Sequence, residues 1–217
     1  VLYLPFDEGS GTTANDLSGY NNNGIVCNTT STCGVQGPLW IGGKVGKALW
    51  FDGIDDWVKI PLTTPISYYG NLTISVWFNA SSTLYERDIL FPYWDDILNF
   101  GLRGNGMIFR STCCDYYSGS LGITLKEWNH IVMVKEVISG NAYLSWYRNG
   151  KFIKRDGPYN NSQFGTSDTK TLLRLGGLRS SYPNSNYGPW DGLIDEIRIY
   201  QRALTADEIK AIYDATK

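Results

Sequence analysis

Residues 190–200 constrain this chain more than any other stretch. Asp191-Gly192 supplies a turn. Apolar Ile197 and Ile199 then alternate with polar Glu196 and Arg198, the period-two pattern of a half-buried strand. The period changes immediately afterwards. Residues 203–213 read as one short helix, with Thr205 as N-cap and Glu208 three residues on as its capping-box partner. Leu204 and Ile209 stand at staple spacing, and Ile212 and Tyr213 continue the apolar face.

Asp195 breaks the pattern. Strict alternation puts it on the same side as Ile197 and Ile199, facing inward. A carboxylate there needs a hydrogen-bonding partner or a metal. Two readings follow: a bonded carboxylate at a strand end, or a ligand to Ca²⁺, which gathers several oxygens around at least one carboxylate.

The rest of the chain repeats short strands without helices between them. Residues 2–7 open as an edge strand, because Pro5 has no amide to donate. Ile25 and Val26 form a short strand. Residues 46–60 read as a hairpin, two apolar strands around a Gly/Asp turn. Leu72, Ile74, Val76 and Phe78 share one face of the next strand. Residues 88–91, 97–102 and 107–110 follow, then the core strands at 128–134 and 142–147. Asn149-Gly150 makes a hairpin turn into residues 151–153, and residues 172–176 form the penultimate strand. The expected fold is all-β: a two-sheet antiparallel jelly-roll sandwich with one short C-terminal helix, a single domain over residues 1–217.

The formal charge is −2, so the chain carries no field that draws nucleic acid or an anionic membrane. No run of 18 apolar residues exists to insert into a bilayer. The chain begins inside a strand, so removal of a leader or upstream domains is expected. Four cysteines and four N-x-S/T tripeptides, at Asn28, Asn71, Asn79 and Asn160, point to a secreted or cell-surface protein. Cys27 and Cys33 flank a polar loop that one bridge can close. Cys113 and Cys114 are adjacent, and form a vicinal bridge or reach elsewhere. The lone histidine, His130, has no companion for a metal.

Several segments taken together resemble the laminin-G-like jelly-roll domains of the concanavalin A-like lectin/glucanase superfamily. These are Tyr3-Leu4-Pro5-Phe6-Asp7-Glu8-Gly9 with Asp16-Leu17-Ser18-Gly19, and Gly46-Lys47-Ala48-Leu49-Trp50-Phe51-Asp52-Gly53-Ile54-Asp55-Asp56-Trp57-Val58. Leu72-Thr73-Ile74-Ser75-Val76-Trp77-Phe78, Trp128-Asn129-His130-Ile131, Tyr147-Arg148-Asn149-Gly150-Lys151, and residues 191–200 with Arg202-Ala203-Leu204 complete the set. The resemblance implies two curved sheets with binding at one rim or on the concave face. It also implies a structural calcium held by Asp7, Asp52 or the Gly53 carbonyl, and Asp195, with Asp16 a weaker candidate. Pentraxins, a calcium-dependent branch, place a ligand-binding calcium near a loop resembling Trp94-Asp95-Asp96-Ile97-Leu98. Residues 175–180 here have no carboxylate where that branch has several, so a double site is not expected.

Related glycoside hydrolases carry paired carboxylates, in one branch as Glu-x-Asp-x-x-Glu. No such array is read here. Glu127 and Glu136 stand alone, and His130 sits where the family has a structural strand residue, so catalysis is not expected. The expectation is a non-catalytic lectin-like module. Its sugar contacts would come from Tyr93, Trp94, Asp95, Asp96, Arg110, Asp115, Tyr116, Arg179, Tyr187 and Trp190, because aromatic faces and planar polar groups hold sugars well. Its partner would be a glycan or glycoprotein. A structural or adhesive module that binds proteins or self-associates stands as the alternative.

Overall fold

The computed structural model describes residues 1–28, 32–34, 37–82, 86–92, 99–111, 113–165, 169–177 and 187–217. In chain order the strands are β1 (Leu2–Leu4), β2 (Thr13–Ala14), β3 (Gly24–Asn28), β4 (Thr32–Cys33), β5 (Leu39–Gly42), β6 (Lys47–Asp52), β7 (Asp56–Ser67), β8 (Leu72–Ala80), β9 (Glu86–Pro92), β10 (Phe100–Arg103), β11 (Gly106–Arg110), β12 (Asp115–Tyr117), β13 (Asn129–Ile138), β14 (Asn141–Arg148), β15 (Lys151–Asn160), β16 (Thr169–Leu175), β17 (Tyr187–Gly188) and β18 (Asp191–Tyr200). One helix, α1 (Ala206–Thr216), closes the chain.

The strands form two sheets. The eight-stranded sheet runs β15-β14-β13-β8-β18-β6-β5, with β1 beside β18. The ten-stranded sheet runs β12-β11-β10-β9-β16-β7-β3-β2, with β4 on β3 and β17 on β9. Pairings are antiparallel except β17 with β9. The core lies between the sheets. Phe78, Ile131, Met133 and Trp146 enter it from one side, and Val58, Phe100, Phe109 and Leu175 from the other. Phe100 and Trp146 stack across the gap at 6.5 Å. This is the expected all-β sandwich with a short terminal helix.

The segment expected as a hairpin is instead an arch between sheets. Both edges of β6 are taken by β5 and β18, and both edges of β7 by β3 and β16. The two strands therefore face each other across the core, with Phe51 and Val58 fully buried from opposite sides. The arch is tied locally. Ile54 N donates to Asp52 Oδ1 at 2.8 Å, and Asp52 N to Asp56 Oδ2 at 3.1 Å. A Gly/Asp turn between two apolar strands looks the same in sequence whether the strands pair or cross.

Residues 194–199 also depart from simple alternation. The first half of β18 pairs with β6, its second half with β1, and β8 lies along the other side. At the seam between β6 and β1 the register shifts, and Glu196 adopts φ +52°. This bulge reverses the alternation. Ile194 lies opposite core Phe78 and Ile199 opposite core Ile74, while Asp195 lies opposite Trp77 on the outer face. The expectation of an inward Asp195 is corrected accordingly.

That outer face is covered by α1. The Thr205–Glu208 capping box is present, and Leu204 and Ile209 pack on Val132, Val134 and Tyr147. Trp77 stacks on Tyr213 at 5.7 Å and donates its indole N–H to Thr216 Oγ1 at 2.8 Å. His130 lies beneath the helix beside both rings, with Nε2 2.9 Å from Ser75 Oγ. Burial drives its pKa down to about 3, with Arg198 adding to the shift.

The folded imidazole stays neutral where the unfolded one takes a proton, so stability is full above about pH 6.5 and falls as pH drops towards 3. At about 1.4 kcal/mol per pH unit, the loss by pH 4.5 is roughly 3 kcal/mol. Urea denaturation at several pH values should show a loss of that size in the native protein and a smaller one in His130→Phe. Equal losses would remove the assignment.

Candidate functional site

The outer face of the ten-stranded sheet, at β10 to β12, brings polar and aromatic groups together. Along β11, Met107 and Phe109 enter the core, so Ile108 and Arg110 point outward. On β12, Tyr116 pairs with Phe109 and faces the core, while Asp115 and Tyr117 pair with Arg110 and Ile108 and face out. On β10, Phe100 and Leu102 are core residues, which leaves Arg103 outward.

Arg110 is the centre of the group. Its Nε and one terminal nitrogen meet the two Asp115 oxygens at 2.5 and 3.0 Å, the forked geometry that fixes a carboxylate in one plane. A terminal nitrogen also lies 2.8 Å from Glu86 Oε1. Arg110 and Glu86 are buried, and burial pushes the Glu86 carboxyl pKa up while Arg110 opposes the shift. Beside this buried pair lie exposed groups. Arg103 lies 3.9 Å from Asp115 and 5.7 Å from the centre of the Tyr117 ring, which is 43% exposed. An aromatic face, a cation and a rigidly held carboxylate thus share one exposed patch. Such a patch can meet the CH face of a sugar and its hydroxyls at once.

The expected contact residues separate on this map. Arg110 and Asp115 are brought together. Tyr116 and Trp190 are corrected to core residues. The Tyr116 ring lies 4.6 Å from both Tyr159 and Phe164, and Trp190 is fully buried against Phe78 at 5.3 Å. Tyr187 belongs to β17, beside Glu86, with its side chain outside the described residues. Tyr93, Trp94, Asp95, Asp96 and Arg179 lie outside the described residues altogether. Sequence reasoning passed over Glu86 and Arg103. Alternation with Phe100 and Leu102 marks Arg103 as outward, and Glu86-Arg87-Asp88 is a Glu-x-Asp pair on one strand face.

The four residues expected to hold calcium do not gather around one point. Asp195 Oδ2 accepts from Lys44 N and Val45 N at 2.9 and 3.0 Å, and Asp7 Oδ1 from Lys47 N at 2.8 Å. Both carboxylates therefore hold the β5–β6 turn. Gly46 is obligatory in that turn, at φ +54° and with Asp7 Oδ1 only 2.1 Å from where a Cβ would stand. Burial raises the Asp195 pKa to about 7, against the pull of these two amides. Asp52 and Gly53 lie at the opposite end of β6, in the arch. There Asp52, Asp55 and Asp56 place one carboxylate oxygen each within 4.8 Å of the others. Asp16 is occupied separately, accepting from Tyr3, Ser18 and Asn22 amides.

Both disulfides are formed, Cys27–Cys33 and the vicinal Cys113–Cys114, the latter immediately before Asp115. Among the described residues no helix is long and apolar enough to cross a membrane.

A laminin-G family model, described as the concanavalin A-like lectin/glucanases superfamily, matches residues 51–210. No curated protein matches in sequence. Among solved structures, domain 4 of AbnA, a GH43 extracellular arabinanase from Geobacillus stearothermophilus in complex with arabinotriose, superposes with a TM-score of 0.71. It is 20% identical, over 100% of this chain and 97% of that one. The botulinum neurotoxin serotype D binding domain superposes at 0.68 with 16% identity, over 99% of this chain and 51% of that one. The binding domain of botulinum neurotoxin DC in complex with SialylT gives 0.69 and 12%, over 100% and 51%. At these identities the likeness is one of fold, and this chain spans about half of each toxin domain.

The buried pair makes its own prediction. Arg110→Met leaves Glu86 without its cation and should cost about 3 kcal/mol in urea denaturation. Adding Glu86→Gln should recover more than half of that loss. No recovery in the double variant would show that Glu86 is not the group stranded.

Proposed function

The chain belongs to the concanavalin A-like lectin/glucanase superfamily, and from that membership we propose that it is a non-catalytic carbohydrate-binding module. The observation that carries this reading is the exposed Tyr117 ring beside Arg103 and Asp115, with Asp115 locked from behind by buried Arg110. A site whose polar groups are already held in place loses little entropy on binding. The arabinotriose complex of the AbnA domain and the SialylT complex of the toxin domain support a glycan as the partner class. Glu86 supports binding rather than hydrolysis, because the carboxyl is buried and tied to Arg110. The two disulfides support an extracellular location.

In this reading a structural calcium belongs, among the described residues, to the arch, where three carboxylates offer the oxygen donors that calcium takes. Calcium added to chelator-treated protein should raise the melting temperature, and Asp55→Asn should remove the rise while Asp195→Asn leaves it. No rise in the native protein rejects the site.

The function itself is tested on a glycan array that includes arabinotriose and sialylated glycans. Saturable binding is expected, weakened at least about tenfold in Tyr117→Ala and in Arg103→Ala with unchanged melting, since both side chains are exposed. An array without a saturable glycan, from folded protein, would reject the module as a lectin and favour a protein-binding role.

A further inference from the structure

The two sheets do not close on each other at the edge formed by β5 and by β2 and β3. This is the far end of the ten-stranded sheet from β12. An open groove of about 460 Å³ runs there between residues 9–12 and residues 37–41, with Val26 among its lining residues. That volume lies in the range of small-ligand sites. The groove is built rather than incidental. The Trp40 indole N–H donates to Gly11 O at 2.9 Å, and its ring packs 6.4 Å from core Phe6. Val26 N donates to Thr12 O at 2.8 Å, so each wall is bonded across to the other side. Gly37 lies flat on β3, where a Cβ would stand 2.3 Å from the Cys27 carbonyl oxygen. Gly9 and Gly11 hold the opposite wall in the left-handed region at φ +70° and +88°.

The lining has a division of chemistry. One wall is apolar, with Trp40, Pro38 and Val26, and with Leu39 and Ile41 exposed at the rim. The other carries the Ser10 and Thr12 hydroxyls and the backbone of Gly9 and Gly11. None of the lining residues is charged. An acyl chain would bury the hydroxyl wall without giving it partners, which is costly. A sugar ring satisfies both walls, with its CH face on the apolar side and its hydroxyls on the other. The nearest cation is Lys47, whose side chain runs behind Gly9, 3.7 Å from where a Cβ there would stand, and it is not among the lining residues.

We propose that this groove is a second ligand site, for a short neutral glycan, separate from the charged patch at β10 to β12. The uncharged lining and the two-faced walls assign the ligand class, and the site does not depend on the first being correct.

The test is a two-dimensional NMR titration of the ¹⁵N-labelled protein with arabinotriose, maltotriose, cellotriose and lactose, and separately with hexanoate. The Trp40 indole signal is identified by its loss in Trp40→Phe. Saturable shifts of that signal and of the Ser10 and Thr12 amides are expected with at least one sugar. Ser10→Tyr, which fills the groove from an exposed position, should weaken those shifts at least about tenfold. Shifts at Arg103 and Tyr117 report the other patch independently. The proposal is overturned if no sugar moves the Trp40 indole, if Ser10→Tyr leaves the affinity unchanged, or if hexanoate alone moves it.

Discussion

The Asp195 carboxylate is the contact on which the eight-stranded sheet depends. It sits at the seam where β18 changes partner from β6 to β1, and it accepts two amides of the turn that leads into β6. Asp7, just after β1, takes a third. One short turn is thus held from both sides of the seam. Without those bonds, three backbone amides would need other partners, and the strand pairs that meet there would lose their common anchor. The bulge at Glu196 is the geometric cost of this arrangement. It is held by Tyr3, whose hydroxyl donates to the Glu196 carboxylate at 3.0 Å, and by Arg198 at 2.5 Å. The strained backbone persists because the side chain is fixed in turn.

The fold was legible in the sequence where period and local chemistry agree. The terminal helix is such a case, since Thr205, Glu208, Leu204 and Ile209 each act within one turn. The Asn149-Gly150 hairpin is another. Three features were not legible, each for a distant reason. The arch at residues 53–55 differs from a hairpin only in where β18, β16 and β3 lie. The bulge that turns Asp195 outward is set by β1 and β6 meeting end to end. The length of β15, ten residues where the apolar run stops at Ile153, comes from pairing with β14 rather than from its own largely exposed side chains.

The binding patch was half legible for the same kind of reason. Arg110 and Asp115 are near neighbours in sequence, so a loop rich in polar and aromatic groups drew attention to both. Tyr116 and Trp190 carry the same residue chemistry but face the core, and only strand register separates Tyr116 from Tyr117. Glu86 enters from β9, 24 positions before Arg110, and no local pattern links the two.

The position of β18 has a consequence for how the molecule is made. It follows the other described strands in sequence, yet it lies in the middle of its sheet, between β8 on one side and β6 and β1 on the other. During synthesis on a ribosome, β15 to β8 and the β5–β6 pair can form only as two separate leaves, each with an unpaired border. Residues 191–216 close the gap and seal it with α1. Nascent chains halted before residue 191 therefore display two open, apolar-flanked strand borders, the kind of surface that chaperones hold and that aggregation exploits.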